Sequence, residues 1–204
     1  MTGKSYFHRG SDTPLLGETI PGNFARIAQQ FPDNAAIVSI PQERRLNYRE
    51  LAEETDRVAK GLLAFGFGKG DRLGVWSTNN IEWLLLQLAT ARIGVVLVNI
   101  NPGYRPRELA YALQRSEVEC VVTIPSFRTS DYVGMLVELV PELKTSKPGE
   151  FRNDELPFLR RVILYDPAMH PTATGDGEIR IQYETVNNSD AENGYATVGL
   201  QDLD

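Results

Sequence analysis

Arg72-Leu73-Gly74-Val75-Trp76-Ser77-Thr78-Asn79-Asn80-Ile81-Glu82-Trp83-Leu84-Leu85-Leu86-Gln87-Leu88, with Val95-Val96-Leu97-Val98 seven residues on, is the stretch that decides the fold. Its first five residues form a short apolar run with the length of a strand. Asn79 and Asn80 then offer side-chain oxygens to the free N–H groups of a helix start. Ile81, Leu84, Leu85 and Leu88 recur at helical spacing and mark the buried face of that helix. Val95 to Val98 are apolar on both faces, the pattern of a strand inside a parallel sheet. Strand, helix and strand within 27 residues (72–98) form a crossover unit.

The same alternation continues on both sides. Upstream, Asn47-Tyr48-Arg49-Glu50 pairs an N-cap with a Glu three residues later, a capping box. Leu51, Thr55, Val58 and Leu62, widened by Ala52, Ala59 and Leu63, give the following helix its apolar stripe. Gly66 stops it, because a residue without Cβ accepts the positive φ found past a helix end. Earlier still, 35–40 and 44–47 flank Pro41-Gln42-Glu43 and predict a small hairpin. Downstream, Pro106 suits a first helical position, and Leu109, Ala112 and Leu113 face inward from a helix over about 105–116. Residues 119–124 predict the next strand, 131–139 a helix, and 160–165 a last strand. Repeated alternation with short connections predicts an α/β fold, a doubly wound, mostly parallel sheet with flanking helices. The expected organisation is an α/β subdomain over 1–165 and a polar tail of loop or disorder over 166–204.

Composition sets the function classes. The 204 residues are 42% hydrophobic and 24% charged, the balance of a soluble globular chain. Twenty-seven acidic against 21 basic residues give a net charge of -6, which argues against nucleic acid as a partner. No apolar run approaches the roughly 20 residues of a membrane span. Neither the first dozen residues nor Asp202-Leu203-Asp204 carries a recognisable address, so a soluble, intracellular and by default cytoplasmic chain is expected, with organelle targeting left open. Cys120, the one cysteine, sits in a strand-like run with no activating His nearby in sequence, and is expected to be a core thiol. His8 and His170 are too far apart to suggest a metal site and are expected in exposed loops.

Three glycine patterns invite a phosphate-binding reading, and each fails on position. Gly66-Phe67-Gly68-Lys69-Gly70 ends a helix and leads into a strand, the reverse of a dinucleotide loop. Gly61 and Gly66 have P-loop spacing, but Phe67 and Gly68 stand where Lys and Ser or Thr are needed. Thr174-Gly175-Asp176 lies in a polar loop, where turn chemistry accounts for it. Trp83 and Tyr104 tempt as ligand-stacking rings, yet a Trp on the first turn of an amphipathic helix is expected to be half-buried packing. Glu53-Glu54 is the solvated side of a helix. No catalytic, cofactor-binding or metal-ligating residue is assigned.

The order of the pieces resembles the beginning of the AMP-forming acyl-CoA synthetases, relatives of luciferase and of nonribosomal adenylation domains. The matching residues are Pro32-Asp33-Asn34-Ala35-Ala36-Ile37, Leu46-Asn47-Tyr48-Arg49-Glu50-Leu51 and Gly70-Asp71-Arg72-Leu73-Gly74-Val75. They continue through Asn80-Ile81-Glu82-Trp83, Ala91-Arg92-Ile93-Gly94 and Asn99-Ile100-Asn101-Pro102. Phe127-Arg128-Thr129-Ser130-Asp131-Tyr132 and Val140-Pro141-Glu142-Leu143 resemble the medium-chain and fatty-acid branch. The resemblance implies a ligase that uses ATP, Mg²⁺ and coenzyme A to turn a carboxylic acid, a fatty acid in this branch, into an acyl-adenylate and then an acyl-CoA. The family's phosphate loop, adenine pocket, ribose-binding Asp and C-terminal lysine all belong downstream of the matched region, so none is carried over. The expectation is an N-terminal fragment, inactive alone and binding no cofactor by itself, with a non-catalytic scaffold or interaction module as the alternative. A sheet cut before its remaining strands also predicts self-association through an exposed edge.

Overall fold

The computed structural model describes residues 16–146 and 151–165. His8, His170, the Thr174-Gly175-Asp176 run and the tail over 166–204 lie outside the described residues.

Chain order is α1 (Ile20–Gln30), β1 (Ala35–Ser39), β2 (Arg44–Asn47), α2 (Tyr48–Ala64), β3 (Arg72–Trp76), α3 (Ile81–Ile93), β4 (Val96–Ile100), α4 (Pro106–Arg115), β5 (Cys120–Thr123), β6 (Ser126–Phe127), β7 (Ser130–Asp131), α5 (Tyr132–Leu139) and β8 (Arg161–Leu164). A 3-10 turn over Pro141–Lys144 follows α5. The central sheet has four strands in the order β4-β3-β5-β8, and each neighbouring pair is parallel. Two small antiparallel hairpins, β1-β2 and β6-β7, stand outside it.

Topology follows from local signals. The Asn47 side chain accepts from the Glu50 N–H at 2.8 Å, and the Glu50 carboxylate accepts from the Asn47 N–H at 2.8 Å, closing the capping box that opens α2. Gly66 and Gly70 take φ of 88° and 99°, so the glycine-rich run is the turn that delivers the chain from α2 into the amino end of β3. From β3 the chain steps to β4 through α3, then crosses back over β3 to reach β5 through α4. Right-handed crossovers in opposite directions set α3 and α4 on opposite faces of the sheet. The main core cluster holds Leu73, Val75, Trp76, Leu109, Leu113, Cys120, Val121, Leu136 and Leu159, all buried, and a second, smaller cluster holds Leu46, Leu51, Ile81 and Leu85.

Three expectations are corrected in detail. Val95 to Val98 do not read onto a strand enclosed on both faces: β4 is the edge strand, Val96 is 47% exposed, and Leu97 and Val98 are half-buried. An apolar run reports low polarity, and it cannot distinguish a central strand from an undefended edge. Leu63, assigned to the apolar stripe of α2, is 52% exposed although Leu62 beside it is buried, so the buried stripe is narrower than the sequence pattern. On α3, Leu86, Ala89 and Thr90 are buried with Ile81 and Leu85, whereas Leu84 and Leu88 are half-buried; the helix is enclosed on more than one side.

Candidate functional site

In an open parallel sheet, ligands bind outside the carboxyl ends of the strands where the strand order reverses. Here that point lies between β3 and β5, at Trp76 and Thr123, bordered by the loops 77–80, 101–105 and 124–131. The amino end of β3, where the glycine-rich turn sits, is the opposite edge.

The first of these loops is the position at which dinucleotide enzymes expose helix N–H groups to phosphate. In this chain it is closed by its own side chains. Asn80 Oδ1 accepts from the Trp83 N–H at 2.8 Å, and Gln42 Oε1 from the β1-β2 hairpin accepts from the Ile81 N–H at 2.9 Å. Asn80 Nδ2 donates to Ser77 Oγ and to the Thr78 carbonyl, both at 3.0 Å. From the end of β8, the buried Tyr165 hydroxyl reaches Ser77 Oγ at 2.8 Å and Asn80 Oδ1 at 3.1 Å. Burial pushes the Tyr165 phenol up to about 12, against the pull of its hydrogen bonds to Ser77 and Asn80. Glu82 accepts from Gln42 Nε2 at 2.7 Å and pairs with Arg44 at 3.0 Å, so the one acidic group of the first turn is also engaged. The turn holds no glycine, and a phosphate has no N–H left to claim at Ile81 or Trp83.

The other two loops are open. Asn101, Pro102, Gly103 and Arg105 are exposed, Tyr104 is half-buried against the core, and the β6-β7 hairpin exposes Phe127, Arg128 and Thr129. The Arg128 guanidinium stacks 5.1 Å from the Phe127 ring centre, and Arg128 itself occupies the hairpin turn at φ 54°. Among the described residues no carboxylate forms an ion pair with Arg105, Arg107 or Arg128, nor with Arg45, Arg115, Arg152, Arg160 or Arg161 elsewhere, whereas Arg26, Arg44, Arg49, Arg57, Arg72 and Arg92 are paired. The nearby acids are used locally: Glu108 accepts from the Arg105 N–H at 3.2 Å, and Asp131 from the Gly134 N–H at 2.8 Å. A chain of net charge -6 thus presents unpaired arginines at the carboxyl edge of its sheet. That arrangement attracts anions and stacks planar groups; it contains no nucleophile beside a base.

Cys120 is fully buried in β5, and desolvation pushes its thiol up to about 12, so it is a core residue as its surroundings in sequence suggested. Trp83 is half-buried packing, again as expected. Among the described residues no group of three His, Cys, Asp or Glu is placed to hold a metal ion. Arg105 and Arg128 were not singled out from sequence; their exposure at one edge depends on strand order, which residue spacing does not encode.

Comparison with known proteins follows the fold. The family model described as AMP-binding enzyme matches residues 24–186. The mitochondrial medium-chain acyl-CoA ligase ACSF2 of Rattus norvegicus is 40% identical over 170 residues, 83% of this chain and 28% of the ligase. The putative acyl-CoA synthetase YngI of Bacillus subtilis is 36% identical over 149 residues, 73% of this chain and 27% of the relative. Among solved structures, the Mycobacterium tuberculosis fatty acyl CoA synthetase superposes with a TM-score of 0.61 at 20% identity, over 82% of this chain and 34% of that one, a likeness of fold. This chain spans little more than a quarter of the length of the curated relatives it matches.

Proposed function

The chain belongs to the AMP-binding enzyme family, and we propose that it is the N-terminal part of a carboxylate–CoA ligase acting on medium-chain or other fatty acids. What carries the reading is the 40% identity with the rat medium-chain ligase, sustained over 83% of this chain. In such a ligase the carboxylate attacks the α-phosphorus of ATP, releasing pyrophosphate and leaving an acyl-adenylate. The thiol of coenzyme A then displaces AMP and takes the acyl group as a thioester. Mg²⁺ supplies charge neutralisation on the triphosphate.

The part played by the described residues is that of a wall. Arg105, Arg107 and Arg128 draw a phosphate-bearing substrate to the carboxyl edge, and Phe127 with Arg128 offers a surface for a planar base. The sealed turn at Ser77–Trp83 takes no share in phosphate binding. By itself the 204-residue chain catalyses neither step, but, in a departure from the sequence expectation of no cofactor binding, the chain alone has a phosphate-attracting edge for ATP or coenzyme A.

A second reading, a non-catalytic module that works by association, is favoured by one observation. Among the described residues no strand pairs with the outer edge of β4, and β4 carries no charged residue to deter another strand from adding there. No described helix is long and apolar enough to cross a bilayer. The rat relative is mitochondrial by name, and an organelle address is compatible with both readings.

Grafting decides between them. Residues 16–165 replace the matched segment of the rat ligase, and acyl-CoA formation from medium-chain acids is measured beside carboxylate-dependent ATP–pyrophosphate exchange by the 204-residue chain. Ligase activity in the chimera with no exchange by the chain is the expected pair of results. A folded but inactive chimera supports the association module, and exchange by the chain alone refutes the claim that it lacks the chemistry.

A further inference from the structure

The exposed loop 101–105 is held from beneath by two buried aromatic side chains. Trp76 closes β3 and Tyr132 opens α5; neither is more than 1% exposed, and their rings meet at 4.3 Å between centres with a 56° tilt. Buried Tyr and Trp rings need partners for their polar tips. Both here spend that hydrogen bond on consecutive carbonyls of one loop: Trp76 Nε1 donates to Asn101 O at 3.1 Å, and the Tyr132 hydroxyl donates to Pro102 O at 2.9 Å. The Trp76 backbone is itself tied sideways, since Thr123 Oγ1 on β5 donates to the Trp76 carbonyl at 2.8 Å. Above the rings, Asn101 organises the rest. Its carbonyl also accepts from the Tyr104 N–H at 3.1 Å, and its side chain accepts from the Gly103 N–H at 2.8 Å. Pro102 and Gly103 are solvent-exposed, so no contact from the outer side fixes them.

We infer that Trp76 and Tyr132 form a clamp that sets the height and shape of loop 101–105, making both of them positioning residues for the substrate that meets Tyr104 and Arg105. The inference rests on the proposed function for the identity of that substrate, a phosphate-bearing molecule, and on geometry alone for the clamp. Two apolar rings of the same shape would fill the same space without holding the loop. The hydroxyl of Tyr132 and the indole N–H of Trp76 are therefore the atoms that matter.

Tyr132→Phe keeps the ring and removes the hydroxyl; Trp76→Phe removes the indole N–H and some volume. Amide hydrogen exchange of the 204-residue chain and its affinity for ATP and for coenzyme A are measured well below the unfolding temperature. Loss of one net hydrogen bond corresponds to about fivefold. In Tyr132→Phe, exchange at Gly103 and Tyr104 rises about fivefold, while β3 and β5 amides keep their protection. Affinity for whichever of the two ligands the chain binds falls by a similar factor. Unchanged exchange in the loop of a folded Tyr132→Phe chain overturns the clamp. Faster loop exchange with unchanged affinity overturns the positioning role. Binding of neither ATP nor coenzyme A by the unsubstituted chain overturns the rim reading and the positioning role with it, while the exchange result still stands or falls for the clamp.

Discussion

Replacing Asn80 with Ala probes the sealed turn most severely, because one side chain serves three functions there. Its oxygen caps α3 through the Trp83 N–H at 2.8 Å, and its nitrogen donates to Ser77 Oγ and the Thr78 carbonyl at 3.0 Å. The same oxygen lies 3.1 Å from the Tyr165 hydroxyl, which connects α3 to the last strand of the sheet. Loss of an N-cap costs about 1 kcal/mol, and each buried hydrogen bond about 1 kcal/mol. The Tyr165 hydroxyl keeps Ser77 as a partner, so the terms do not add fully, and a loss of about 2–3 kcal/mol is expected. For a domain of this size that lowers Tm by about 4–12 °C. Urea unfolding followed by circular dichroism reads the midpoint, and Asn80→Asp, which keeps the capping oxygen, recovers about 1 kcal/mol of the loss. The double variant with Tyr165→Phe shows a coupling of at least about 0.5 kcal/mol. A loss below about 0.5 kcal/mol for Asn80→Ala, or strict additivity with Tyr165→Phe, refutes the claim that the turn is closed by a cooperative network.

Gly74→Ala crowds the centre of the sheet: the new Cβ stands 3.0 Å from Ile100 Cδ1 and 3.0 Å from Val118 Cγ1, both on buried side chains. Overpacking of that kind destabilises by about 1–3 kcal/mol, and a neutral outcome in the same unfolding assay shows that β3 and its neighbours are looser than described. Alkaline pH weakens the fold in a defined window. Cys120 and Tyr165 ionise from 9.0 and 10.0 in the unfolded chain, but both are pushed up to about 12 in the folded one. Their contribution is fully present below 9.0 and is lost as pH rises towards about 12, because the unfolded chain then binds fewer protons. Urea midpoints fall across that range, and Cys120→Ala combined with Tyr165→Phe flattens the fall; an unchanged slope removes these two groups as its cause. The uncharged outer edge of β4 leads us to expect self-association of the chain. Concentration-dependent sedimentation tests it, and a clean monomer at high concentration shows that the edge is covered or too short to pair.

Most of the scaffold was legible because its signals are local. Asn47 with Glu50, Asn80, Pro106 and Gly66 act within a turn of their own position, and each marks the boundary it predicted. The parallel sheet followed from the alternation of strand and helix periods, which requires crossover connections. What stayed hidden depends on contacts between distant residues. Gln42 reaches the start of α3 from a hairpin 39 residues away, and Tyr165 reaches Ser77 across 88. Neither partnership has a spacing rule. The edge position of β4 was missed for the same reason: burial of Val96 is decided by strand order, and Val-Val-Leu-Val reads identically at the centre or the rim. The unpaired arginines at the carboxyl edge form a group only once the loops after β4 and β5 are brought side by side.

The most direct test of the account is a residue-resolved amide titration of the chain with ATP and with coenzyme A. The account predicts perturbations confined to 101–105 and 126–131, with the Ile81 and Trp83 amides silent because Gln42 and Asn80 already occupy their N–H groups. Perturbation centred on Ile81 and Trp83, or none anywhere in the chain, contradicts it.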